Sequence, residues 1–116
     1  MRRGELRWGN PPLPMVDRKG RPFLIVSNDA FNANPAYPKV MAVHLTSTLR
    51  AEGPYDWEVE LPRKTAGLTR SSVVKCGEVY TLLKTQLGEP VGNLPRAFMD
   101  RVDRALLVAL SLPAAE

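Results

Sequence analysis

One cysteine and one histidine are all that this chain of 116 residues offers toward the usual zinc-ligand clusters. Cys76 has no second thiol to pair with, so no intrachain disulfide forms, and no Cys/His spacing suits zinc. No run approaches the roughly 18 apolar residues of a membrane span. The first residues, Met1-Arg2-Arg3-Gly4-Glu5, lead into a short strand-like piece and not into the apolar core of a secretion signal. No glycine-rich phosphate loop, nucleophile elbow or paired metal-binding carboxylates occur. These absences predict a reduced, cytoplasmic protein with no cofactor, no metal and no membrane contact.

Prolines and glycines are plentiful instead, 11 and 8 of them. A helical bundle tolerates few such residues; many turns and short strands use them. Hydrophobic residues reach 44%, enough for one packed core, and the length suits a single domain over 1–116. Lys and Arg number 16 against 12 Asp and Glu, with a pI near 9.6. That excess favours a polyanionic partner such as nucleic acid, although ordinary solubility charge gives the same balance.

Glu5 to Trp8 alternates and predicts a short half-buried strand. Asn10 to Gly20 reads as a loop with an exposed basic pair, Arg18-Lys19. Phe23 to Ser27 predicts a strand buried on both faces, stopped by Asn28-Asp29. Asn32 to Pro38 reads as a loop. Further strands are predicted at Val40–Leu45, Asp56–Leu61 and Ser72–Cys76, the last continuing through Glu78–Leu82 after a bulge at Gly77. Leu94, Phe98, Val102, Leu106 and Leu110 then recur every four residues, which predicts an amphipathic helix with Asn93 as N-cap and Pro95 in its first turn. Leu107 and Val108 fall off that stripe, so either the core wraps the helix or a partner chain covers it. Strands followed by one helix argue for a mainly β fold, a small antiparallel barrel or sandwich closed by the C-terminal helix.

Strand alternation puts Ala42, His44 and Thr46 on one face, with His44 and Thr46 about 7 Å apart. His44 is the one side chain whose ordinary pKa lies near neutrality. It either fills a half-polar strand position or serves a site. Arg21, at the mouth of a buried strand, offers a rigid fork of donors suited to phosphate oxygens; a surface arginine is the plainer reading. Thr46, Ser47 and Thr48 either cap a turn or bind phosphate. Lys75 and Glu78 flank the predicted bulge, and Thr69 to Ser72 form a polar patch before that strand.

Three stretches together resemble the MazF/PemK (Kid) family of type II toxins. They are Met1-Arg2-Arg3-Gly4-Glu5-Leu6-Arg7-Trp8, Arg21-Pro22-Phe23-Leu24-Ile25-Val26-Ser27-Asn28-Asp29, and Ser72-Val73-Val74-Lys75-Cys76 through Thr81; the closing helix over 94–112 also fits. The resemblance implies an SH3-like antiparallel barrel of the CcdB/MazF kind and a homodimer. It implies a sequence-specific, metal-independent endoribonuclease (an mRNA interferase) that cuts single-stranded RNA by 2′-hydroxyl attack, leaving 2′,3′-cyclic phosphate and 5′-hydroxyl ends. A MazE-like antitoxin is the implied protein partner. Arg21 matches the family's essential arginine, phosphate stabiliser and proton donor, and Thr46 its phosphate-positioning threonine. His44, Ser47, Thr48, Lys75, Glu78, Arg18 and Lys19 complete the candidate set for catalysis or RNA binding.

The chain departs from the family pattern in two places. The loop 15–20 is shortened and lacks the histidine some members carry there. Lys75 and Gly77 stand where some members carry arginine and aspartate. Glu78 is the carboxylate nearest the missing acid, and His44, not a family position, shares a face with Thr46. A non-catalytic CcdB-like toxin or an RNA-binding barrel of the same fold is the alternative reading.

Overall fold

In the computed structural model, which describes residues 1–10 and 20–113, the strands are β1 (Glu5–Gly9), β2 (Arg21–Ile25), β3 (Lys39–Thr46), β4 (Glu58–Leu61), β5 (Ser72–Leu83) and β6 (Leu87–Asn93). A one-turn helix α1 (Asp29–Asn32) follows β2, and α2 (Arg96–Leu110) ends the described chain. The six strands form one antiparallel sheet in the order β4-β5-β3-β2-β1-β6.

Alternation along β2 and β3 sorts the core onto the two faces of this sheet. Leu6, Leu24, Val43, Leu45, Val74 and Cys76 face α2 and pack on its Met99, Val102 and Ala105. Phe23, Ile25, Val40, Ala42, Leu82 and Leu87 make a second, smaller core on the opposite face. Each fully buried Leu or Val contributes roughly 1.5–3 kcal/mol.

The expected barrel does not form: β4 and β6 remain edges with no strand pairing between them. A short turn, Thr65–Gly67, lies backbone to backbone against β6 instead. A Cβ on Gly67 would stand 2.4 Å from the Val91 carbonyl oxygen, and one on Gly92 2.2 Å from that of Ala66. The turn occupies the gap through which hydrogen bonding would have closed the sheet.

Two further expectations are corrected. Asn93 ends β6, and Pro95 is the N-cap of α2, with no side-chain cap; its carbonyl accepts from the Phe98 and Met99 amides. The buried positions of α2 are Met99, Val102 and Ala105, while Leu110 is 59% exposed. Steps of four drift by about 40° each on a helix turning 100° per residue, so a stripe drawn that way walks off the core. At the other end Ser111 takes a left-handed conformation (φ 54°), and the Leu112 amide closes onto the Leu107 carbonyl.

The bulge predicted at Gly77 is present. Val43 pairs with Val79 and Leu45 with Val74, so His44 alone faces residues 75–78 of β5. This irregularity gathers the charged groups described next.

Candidate active site

The register of β2 and β3 builds the site. Phe23 sits opposite His44; one further two-residue step brings Arg21 opposite Thr46. Arg21 Nη1 lies 3.4 Å from Thr46 Oγ1. The same threonine oxygen accepts from the Thr48 amide at 3.2 Å, a turn that fixes the hydroxyl at the strand end. Both proposed roles of that hydroxyl, turn former and polar site group, fall to one atom.

Arg21, Thr46, Ser47 and Thr48 open onto one groove of about 450 Å³. Thr69, Arg70 and Ser72 also line it, and Trp8, 48% exposed, lines it from β1. Among the described lining residues there are two arginines and no carboxylate. Guanidinium forks among hydroxyls suit a phosphate-bearing chain, and an exposed indole suits a base. Arg70 and Trp8 were not among the predicted site residues. Arg70 carried a signal as the one charge in the polar patch before β5; Trp8 did not, because alternation puts it on the face of buried Leu6.

His44, Lys75 and Glu78 gather beside the groove at the bulge and do not line it. His44 is buried, with Phe23 and Tyr80 rings at 6.3 and 5.8 Å. Among the described residues neither of its ring nitrogens has a hydrogen-bond partner. Glu78 Oε2 approaches Nε2 at 3.5 Å, a loose polar contact. Burial pulls the imidazole pKa below its usual value, and Glu78 only partly offsets this, so His44 is neutral at pH 7. Lys75 Nζ donates to Glu58 Oε2 at 2.6 Å and lies 3.8 Å from Glu78. Burial would raise the Glu58 pKa, but hydrogen bonds from Lys75 and the Tyr55 amide outweigh it and hold the carboxylate charged. The buried Cys76 thiol is pushed up to about 12 by burial, so it is no nucleophile at neutral pH. Arg18 and Lys19 lie outside the described residues.

Gly77 has a local reason: a Cβ there would stand 2.9 Å from Trp57 Cδ1. The glycine is the seat of an indole.

The sequence and the fold both have known counterparts. Residues 2–110 match the model of the PemK-like, MazF-like toxin of type II toxin-antitoxin system. Endoribonuclease MazF6 of Mycobacterium tuberculosis is 37% identical over 112 residues, covering 95% of this chain and 96% of its own. Endoribonuclease EndoA of Bacillus subtilis is 29% identical over 92 residues, 79% of this chain and 77% of its own. Among solved structures, an endoribonuclease in complex with its cognate antitoxin from a mycobacterial species superposes with a TM-score of 0.76 at 32% identity, covering 97% of both chains. MazF from Deinococcus radiodurans gives 0.72 at 28% identity, covering 94% of both. A family match over residues 2–110 and a 37% identical relative matched over 96% of its length settle the family: this protein belongs to the PemK-like, MazF-like toxin family of type II toxin-antitoxin systems.

Proposed function

We propose that this chain, as one toxin domain over 1–116, is a sequence-specific endoribonuclease that cuts single-stranded RNA without a metal ion. The observation that carries the reading is the Arg21–Thr46 pair, 3.4 Å apart at the mouth of a groove whose described lining holds two arginines and no acid. The RNA 2′-oxygen attacks the adjacent phosphorus, the bond to the 5′-oxygen breaks, and the products are a 2′,3′-cyclic phosphate and a 5′-hydroxyl.

Arg21 donates to the non-bridging phosphate oxygens, where negative charge builds in the transition state, and to the departing 5′-oxygen. Thr46 positions the phosphate, its own oxygen held by the Thr48 amide. Glu78 and His44 stand beside the groove and do not line it, so the 2′-hydroxyl proton is assigned to solvent in the groove. Ser47, Thr48 and Arg70 bind flanking phosphates.

The chain works as a homodimer and is silenced by a cognate antitoxin; the mycobacterial relative forms a complex with its own. No described helix is long and apolar enough to cross a membrane; action in the cytoplasm, on messenger RNA, is part of this proposal.

The test is digestion of single-stranded RNA in EDTA with mapping of the new ends. Cleavage to cyclic-phosphate and 5′-hydroxyl ends is expected, and Arg21→Ala should slow it by about 100-fold. RNA left intact at high protein excess overturns the reading and favours a non-catalytic toxin of this fold.

A further inference from the structure

We propose that Arg50, Tyr55 and Trp57, on the segment joining β3 to β4, form a base-stacking subsite for RNA beyond the cleavage groove. The inference rests on the RNA-cleaving reading above and extends it to nucleotides flanking the cut. The Tyr55 and Trp57 rings lie parallel within 9°, centroids 4.5 Å apart, yet are 41% and 40% exposed. The Arg50 guanidinium covers the Tyr55 ring at 3.7 Å. A flat group at that distance sits where a nucleobase stacks on tyrosine.

The stack is held firmly from below and loosely from above. Beneath it, Trp57 rests on Gly77, and Glu58 accepts from the Tyr55 amide at 3.1 Å and from Lys75 at 2.6 Å. Above it, Arg50 is tethered by the Gly53 carbonyl at 3.0 Å and by Glu52 at 3.6 Å, and the Glu52 side chain is 75% exposed. Such surface tethers are worth little. A base can therefore take the guanidinium's place while Arg50 swings to a phosphate, a trade that rigid aromatic rings permit at small entropic cost. The subsite is also connected to the groove. Lys75 reaches Glu78 at 3.8 Å, Glu78 reaches His44 at 3.5 Å, and His44 is two residues from Thr46. RNA leaving the groove past Thr46 and Thr48 follows the same segment toward Tyr55.

The experiment uses oligonucleotides carrying the mapped cut site, with a 2′-deoxy sugar there to block cleavage, alone or extended by up to about six nucleotides. Extended RNA should bind about tenfold tighter than the minimal site, in keeping with roughly 1–3 kcal/mol per stacked base. Tyr55→Ala should remove that gain and Tyr55→Phe keep it, while cleavage of the minimal RNA stays unchanged in both. On unaltered protein, an abasic nucleotide at the flanking position should lose the same tenfold, a readout independent of any folding defect. The proposal is overturned if extension brings no gain, or if neither Tyr55→Ala nor the abasic RNA changes affinity. That holds even if Tyr55→Ala weakens a protein partner instead. Wild-type protein that cuts the minimal RNA under those outcomes leaves the groove reading standing; wild type that neither cuts nor binds RNA overturns both.

Discussion

Replacing Lys75 by methionine isolates the ion pair under the aromatic stack. In the native chain Lys75 Nζ donates to Glu58 Oε2 at 2.6 Å, and the Glu58 side chain is 3% exposed. Removing one partner of a buried pair costs about 3–5 kcal/mol, because the remaining charge keeps its desolvation penalty. Two features of the site reduce that figure. The Lys75 side chain is 25% exposed, so water enters where its ammonium stood, and the Tyr55 amide still donates to Glu58. We expect Lys75→Met to lose about 2–3 kcal/mol by urea denaturation at pH 7. At about 4–5 °C per kcal/mol for a chain of this size, Tm falls by about 8–15 °C. The double variant Lys75→Met/Glu58→Gln should regain about half of the loss, since no uncompensated charge stays buried. A single-variant loss below about 0.5 kcal/mol, the range of exposed pairs, refutes the argument that Glu58 is held charged inside the fold.

Two further outcomes follow from the bulge. Gly77→Ala puts a methyl 2.9 Å from Trp57 Cδ1, so it should cost about 1 kcal/mol through overpacking and alter the near-ultraviolet circular dichroism of the stacked rings; an unchanged spectrum and stability would mean Trp57 does not sit there. Burial lowers the His44 pKa in the folded chain, so the unfolded chain takes up its proton first as pH falls. Stability is then complete above about pH 6.5 and declines below it, by at most about 1.4 kcal/mol per pH unit for one group. Asp29 and Glu58 have lowered carboxyl pKa values and act only at more acidic pH. His44→Gln should flatten the profile between about pH 7.5 and 5.5, and an equal slope in both proteins counts against the buried neutral imidazole.

That His44 and Thr46 share a face was legible because period-two alternation fixes a strand's faces; Arg21 and Thr46 came together only through the family resemblance, since which strands pair is a long-range matter. The bulge was legible because glycine inside a strand pattern marks an irregularity. β6 was missed because Gly88, Pro90 and Gly92 give it the composition of a loop; it is a strand because β1 pairs with it. Closure into a barrel was overread, since it depends on whether β4 meets β6, a long-range pairing that no local pattern encodes. The seat of Trp57 on Gly77 joins two distant stretches of the chain, beyond the reach of a spacing argument.

The two edge strands, β4 and β6, also bear on how the chain behaves at high concentration. An unpaired strand presents bare amide and carbonyl groups that recruit the edge of another molecule and begin aggregation. Here β4 is only four residues long and carries exposed Glu60, while β6 contains Pro90, which has no amide hydrogen to offer. An open sheet protected in this way keeps its rims from templating fibrous growth, so the chain can stay soluble without sealing itself into a cylinder.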